Sequence, residues 1–176
     1  RSVLWRDASM TILDVGGSTT HMYVVQNQKL QFIRGVRFGG DIIATAVANA
    51  LELSRAETDL ILGSPDSRFM PNGTFVCNIK GDPTLINLQA QMDKLVREFL
   101  RLLRYFRSLH PERSYAGILD HAIVCGGLAG LAGFTEYLEV SLGLRVERAR
   151  PLAGLVAQLR RETFQSLSER QEAFTV

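Results

Sequence analysis

The feature that most constrains the fold is a short segment of glycines and hydroxyl residues between two strand-like runs. Residues 14–20 read Asp-Val-Gly-Gly-Ser-Thr-Thr, and apolar or alternating runs lie at 10–13 and 21–25. A glycine pair permits a tight turn and brings backbone N–H groups close to an anion. The following hydroxyls can donate to phosphate oxygens, and Asp14 at the strand end can face a hydrated Mg²⁺. The segment is therefore either a hairpin with a plain Gly-Gly turn or one that grips a phosphate chain.

A second glycine-rich element lies more than 100 positions further along the chain. Residues 121–134 read His-Ala-Ile-Val-Cys-Gly-Gly-Leu-Ala-Gly-Leu-Ala-Gly-Phe, which predicts a short buried strand, a glycine turn and then a helix from Phe134 to Leu142. Such a turn places open backbone and a helix N-terminus beside a ligand. Each element alone is weak, but the ordered pair is a more specific signal of a binding site.

The remaining pattern predicts a strand meander followed by helices. We expect strands at Met10–Val15, His21–Gln26 and Leu30–Arg37. Asp41 is placed to cap a helix that runs to about Glu52.

Further along, Ser54 and Glu57 form a capping-box pattern for a short helix that Gly63 ends. Asn72-Gly73 between apolar residues predicts a small hairpin. The longest predicted helix runs from about Thr84 to Leu109. Its apolar face comprises Leu88, Met92, Leu95, Val96, Phe99, Leu102, Leu103, Phe106 and Leu109. Its basic face comprises Lys94, Arg97, Arg101, Arg104 and Arg107, which we interpret as solvated rather than as a docking face. Two more helical pieces are predicted at Leu152–Arg161 and Ser166–Val176.

Composition excludes several functional classes. The chain has 176 residues, of which 46% are hydrophobic, enough for one globular domain with a substantial core. Its net charge of only +2 implies no nucleic-acid partner, and no apolar run is long enough for direct membrane insertion. Two cysteines form no disulfide framework, and the three histidines show no metal-ligand spacing. The sequence contains neither the Gly-x-Ser-x-Gly elbow of serine hydrolases nor the phosphate-binding loop of P-loop ATPases, which argues against both classes.

Taken in chain order, these motifs resemble those of the actin-like ATPase superfamily, and within it the PilM branch of type IV pilus assembly proteins. The wider group includes the cell-division protein FtsA and the ethanolamine-utilisation protein EutJ. Residues 14–20 match the second phosphate loop, and Cys125–Phe134 match the adenosine loop. Phe38-Gly39-Gly40-Asp41 matches the Gly-Gly-Asp helix start. The resemblance extends from about Thr11 to Pro151.

The resemblance implies an α/β fold, the ribonuclease H-like lobe of an actin-like ATPase, with a mixed sheet opened by an antiparallel meander and covered by helices. Residues 1–176 would form a single nucleotide-side lobe, and the first lobe, with the first phosphate loop, would be absent from this chain. The implied ligand is ATP or ADP with Mg²⁺, bound weakly if at all by this piece alone. The implied metal ligand is Asp14. The implied nucleotide contacts are Gly16, Gly17, Ser18, Thr19, Thr20, Gly40, Asp59, Gly126, Gly127 and Leu128.

Two departures from the family pattern concern the adenosine side. The third glycine of the adenosine loop is replaced by Leu128, and a lysine of the helix after Ser54 is replaced by Leu62. The carboxylate on that helix is kept as Asp59. A branched side chain where backbone approaches the nucleotide narrows or reshapes the pocket, so we expect weakened nucleotide affinity.

The resemblance implies a nucleotide-binding scaffold for type IV pilus assembly, located in the cytoplasm at the inner membrane. Its partner would be a membrane-anchored PilN-like protein that binds through the missing lobe. No catalytic residue is predicted, and we expect at most weak ATPase activity from the intact protein and none from this chain alone. Two alternatives are the lobe of a small-molecule kinase of the same superfamily and a degenerate structural platform like the type II secretion protein GspL.

Overall fold

The computed structural model describes residues 10–109 and 121–150. It begins with strands β1 (Met10–Val15), β2 (Thr20–Gln26) and β3 (Lys29–Val36), which pair as an antiparallel meander. The turn between β2 and β3 places Asn27 and Gln28 at φ values of 50° and 61°, as a two-residue hairpin turn requires. The predicted meander is therefore confirmed. The helices predicted after Pro151 lie outside the described residues.

Four helices and five further strands follow the meander in the described residues. In chain order they are α1 (Gly40–Leu51), α2 (Arg55–Leu62), β4 (Arg68–Phe69), β5 (Thr74–Ile79), β6 (Asp82–Asn87), α3 (Gln89–Leu109), β7 (His121–Cys125), a 3₁₀ turn (Gly127–Gly130), α4 (Phe134–Leu142) and β8 (Arg145–Arg148). None of the helices in the described ranges is both long enough and apolar enough to cross a membrane.

The strands form two sheets, and the larger one has a mixed topology. Its order is β3-β2-β1-β7-β8, with β1 antiparallel to β2 but parallel to β7, and β7 parallel to β8. The smaller sheet, β4-β5-β6, is antiparallel throughout. Because β1 and β7 are adjacent and parallel, the loops that follow them emerge at the same edge of the sheet. This topology brings together the two glycine-rich segments.

The core lies between one face of the larger sheet and the helices. Alternate strand residues face it, among them Leu13, Val15, Met22 and Val24, each at most 2% exposed. The amphipathic helix α3 contributes a buried stripe that matches the predicted face at Met92, Leu95, Val96, Phe99, Leu102, Leu103 and Phe106, and the buried Leu88 lies just before the helix. Leu109, assigned to the same face, is instead 47% exposed at the end of the helix.

Several local predictions hold and others are wrong. The Ser54–Glu57 capping box of α2 is confirmed, and so is the β4–β5 hairpin around Asn72-Gly73. Asp41 does not cap α1, because the N-cap residue is Gly39. The long helix does not begin at Thr84, which pairs in β6. Strand β8 was not predicted.

Candidate functional site

The two glycine-rich loops lie side by side at the carboxyl ends of β1 and β7. The register pairs Asp14, the penultimate residue of β1, with Cys125, the last residue of β7, so the two strands end within one residue of each other. Ligands of open α/β sheets bind outside the carboxyl ends of the strands, where connections diverge in opposite directions. Here β1 turns back antiparallel into β2, whereas β7 leads into a 3₁₀ turn and α4. The candidate site is therefore the edge formed by these two loops.

The loop after β7 contains one glycine that the fold requires and one that faces open space. Gly126 has φ 89° and ψ 179°, and a Cβ added there would lie 2.3 Å from the carbonyl oxygen of Val15. Its missing side chain lets the loop approach the end of β1. In contrast, a Cβ added at Gly127 would meet no atom within 4 Å. The backbone at Gly127 is therefore open to a ligand.

Leu128, the residue that replaces the expected third glycine, belongs to the core. Its side chain is 6% exposed and lies close to Gly40, since a Cβ added at Gly40 would be 3.5 Å from the Cγ of Leu128. The leucine thus fills space between the β7 loop and the start of α1. The open space lies over Gly127 instead.

The loop after β1 is held in shape by backbone hydrogen bonds to the start of α1. The N–H groups of Gly40 and Asp41 donate to the carbonyl oxygens of Gly16 and Gly17, both at 2.9 Å. A Cβ on Gly39 would lie 2.1 Å from the carbonyl oxygen of Gly17, so only glycine permits this approach. These N–H groups at the start of α1 are therefore already hydrogen-bonded to the loop.

The three predicted hydroxyl donors have different environments. Thr20 is fully buried, and its Oγ1 donates to the carbonyl oxygen of Phe38 at 2.7 Å. Ser18 is exposed, and its Oγ donates to Oδ2 of Asp41 at 3.0 Å. Thr19 is exposed at the tip of the loop. Thr20 therefore joins the loop to the protein, whereas Ser18 and Thr19 face solvent at the candidate site.

Asp14, the predicted metal ligand, is half-buried at the end of β1. Burial raises the pKa of Tyr23, and the neighbouring carboxylate of Asp14 contributes to the same shift. The described ranges hold no group of three or more His, Cys, Asp or Glu side chains that could enclose a metal ion. A hydrated Mg²⁺ nevertheless needs only one or two protein carboxylates, because phosphates and water supply its other ligands. Asp14, which pairs in register with Cys125 two residues before the open backbone of Gly127, can supply that carboxylate.

Asp59 is connected to the loops through Arg55, a residue that the sequence analysis did not identify. Nε of Arg55 lies 2.8 Å from Oδ1 of Asp59, and its Nη2 lies 2.9 Å from Oδ1 of Asp41. The hydrogen bonds from Arg55 and Ser18 hold the pKa of the Asp41 carboxyl below its usual value. The i,i+4 spacing of Arg55 and Asp59 is readable in the sequence, but the contact with Asp41 requires the fold.

Leu62 on α2 is the other residue that departs from the family pattern. It is partly buried and packs against the hydrophobic core. Backbone hydrogen bonds join the loop after β1 to the start of α1, and Arg55 joins α1 to Asp59 on α2.

The sequence model of a family described as type IV pilus assembly protein PilM matches residues 4–176. The chain belongs to this family. A solved PilM–PilN type IV pilus biogenesis complex contains a chain of similar fold, with a TM-score of 0.68 and 17% identity. That alignment covers 96% of this chain and 44% of the other.

Two further relatives agree with an actin-like assignment. The cell division protein FtsA of Streptococcus pneumoniae is 22% identical over 147 residues, or 81% of this chain and 32% of FtsA. The ethanolamine utilization protein EutJ of Carboxydothermus hydrogenoformans has a TM-score of 0.51 at 17% identity, covering 82% of this chain and 44% of EutJ. The actin-like fold predicted from the sequence is confirmed. The chain spans less than half the length of each of these relatives.

Proposed function

We propose that this chain is the nucleotide-binding lobe of a PilM-like scaffold protein, and that it holds ATP or ADP with Mg²⁺ between the loops after β1 and β7. The observation that carries this proposal is the pairing of the two loops at the ends of adjacent parallel strands, with open backbone at Gly127. A polyphosphate lying along this edge would receive a hydrogen bond from the exposed hydroxyl of Thr19, whereas the single hydroxyl proton of Ser18 is donated to Asp41. The bound Mg²⁺ would neutralise phosphate charge, and Asp14 is the carboxylate placed to orient its water shell.

We propose that the adenosine binds to the surface formed by the β7 loop and α2. Gly127 offers backbone without a side chain, and α2 contributes the carboxylate of Asp59. Both elements are positioned independently of a ligand, Gly126 by its close contact with β1 and α2 by its capping box. A preformed site of this kind binds without first ordering its loops.

Family membership and the solved relative in complex with PilN support a role in assembly. We infer a scaffold at the cytoplasmic face of the inner membrane, in which a preceding lobe supplies the first phosphate loop and docks a membrane-anchored PilN-like protein. This chain alone should then fail to retain the partner's peptide in a pull-down, while the protein with both lobes retains it. Retention by the chain alone would contradict the assignment of the docking site to the other lobe.

Thermal unfolding with and without nucleotide tests the proposed site in the protein that carries both lobes. A ligand at 100 times its dissociation constant stabilises the folded state by about 2.7 kcal/mol, so MgADP or MgATP should raise the melting temperature. Asp14→Asn should reduce the part of the shift that depends on Mg²⁺. Asp82→Asn, which removes an exposed carboxylate on the smaller sheet, is the matched control and should leave the shift unchanged. No shift with either nucleotide would instead indicate a purely structural platform.

A further inference from the structure

Arg55 occupies a position that is electrostatically unfavourable unless nearby carboxylates compensate it. It is the first residue of α2, where the positive end of the helix dipole disfavours a cation. Its side chain is 58% exposed, and its guanidinium contacts two carboxylates, Asp41 on α1 and Asp59 one turn along α2. A planar guanidinium can hold two carboxylates in fixed directions, which a lysine ammonium cannot do equally well.

The Asp41 carboxylate connects this ion pair to the phosphate loop. Its Oδ1 binds Arg55, and its Oδ2 accepts the hydrogen bond from Ser18. The backbone N–H of Asp41 also donates to the carbonyl oxygen of Gly17. Ser18, Asp41, Arg55 and Asp59 thus form a continuous chain of hydrogen bonds from the loop to α2. Neighbours in such a network are energetically coupled.

The charge balance of the loop makes Arg55 important for anion binding. Residues 14–20 contain no lysine or arginine, and their one charged residue is Asp14. The Asp41 carboxylate beside Ser18 adds a second negative charge where a phosphate would arrive. Without a cation on Asp41, that carboxylate would repel the phosphate and would be free to turn away from its present direction.

We propose that Arg55 is a positioning residue of the phosphate loop, which orients and neutralises Asp41 so that the loop accepts the phosphates of a magnesium nucleotide. The inference rests on the proposed nucleotide site. It also couples α2 to that site, because the guanidinium that steadies the loop simultaneously binds Asp59. The loop and the adenosine-side helix consequently respond to a nucleotide as one unit.

A mutant cycle in the protein with both lobes tests this inference. Dissociation constants for MgADP are measured by titration calorimetry for the wild type, Arg55→Gln, Asp41→Asn and the double variant. Arg55→Gln should weaken binding by roughly 3- to 10-fold, since coupled neighbours in a network commonly interact to this extent. Adding Asp41→Asn removes the uncompensated charge and should restore the affinity to within about twofold of the wild type. Arg101→Gln, which breaks a comparable surface ion pair with Glu98 on α3, is the control and should bind as the wild type does.

The outcomes separate this inference from the proposed function. If the wild type binds MgADP and Arg55→Gln binds it equally well, the role of Arg55 is refuted while the nucleotide site stands. A loss in Arg55→Gln that Asp41→Asn does not rescue would also refute the charge-balancing role, because a purely structural loss is not repaired by removing a second partner. A wild type that binds no MgADP overturns both proposals.

Discussion

Replacing Gly126 by alanine tests the contact that brings the two loops together. The backbone there, at φ 89° and ψ 179°, lies in a region that is essentially restricted to glycine and costs other residues about 1–3 kcal/mol. The added Cβ would also lie 2.3 Å from the oxygen and 2.6 Å from the carbon of the Val15 carbonyl. These atoms belong to the backbone of β1, whose Val15 side chain is fully buried, so they cannot move without disturbing the core. Overpacking of this kind costs about 1–3 kcal/mol more.

The expected total of about 2–6 kcal/mol is a large fraction of the roughly 5–15 kcal/mol that stabilises a typical protein. Urea unfolding followed by circular dichroism measures this loss of unfolding free energy. An unchanged dependence of the free energy on urea concentration would show that the unfolded state is the same in both proteins. Gly127→Ala is the matched control, since its Cβ meets no atom within 4 Å, and it should change the unfolding free energy by less than about 0.5 kcal/mol. A Gly126→Ala variant as stable as Gly127→Ala would refute the close approach of the β7 loop to β1.

Three other outcomes follow from the described contacts. Ser54→Ala removes the capping box of α2 and should lower the unfolding free energy by about 1 kcal/mol, measured by urea unfolding. Asp41→Asn should destabilise by less than about 1 kcal/mol at neutral pH, because the ion pair with Arg55 is exposed. Because the pKa of Asp41 is lowered in the folded state, its carboxylate stabilises the fold at pH values above the ordinary value of 3.8, and this stabilisation is lost as the pH falls further. The difference in unfolding free energy between Asp41→Asn and the wild type should therefore vanish at low pH. The chain alone should release no phosphate from MgATP above background, and turnover abolished by Asp14→Ala would contradict this.

Local sequence signals identify much of the fold and of the candidate site. The strand-turn-strand pattern at the start gives the meander, and Ser54 with Glu57 gives the start of α2, because hairpin turns and capping boxes are specified by neighbouring residues. The strand before Gly126 and the helix from Phe134 are likewise read from a few adjacent positions.

The errors arise where contacts distant in sequence decide the structure. Asp41 looks like a helix cap, but the close approach of Gly39 to the phosphate loop makes Gly39 the cap and leaves the Asp41 carboxylate to bind Ser18 and Arg55. The predicted helix start at Thr84 is wrong because Thr84 pairs with β5 in β6, an edge strand in which the missing N–H of Pro83 is tolerated. The Arg55–Asp41 contact joins residues 14 positions apart on different helices, and no local pattern predicts it.

The most direct test of the nucleotide site is a calorimetric titration of MgADP into the full-length protein, comparing the wild type with Gly127→Val. A Cβ at Gly127 would meet no atom within 4 Å in the described structure, so we expect a valine there to leave the fold intact while blocking the nucleotide. We predict saturable binding by the wild type and at least about tenfold weaker binding by Gly127→Val, equivalent to about 1.4 kcal/mol, with an unchanged unfolding midpoint. Equal affinity of the two proteins, or no binding by the wild type, would contradict a nucleotide site between the loops after β1 and β7.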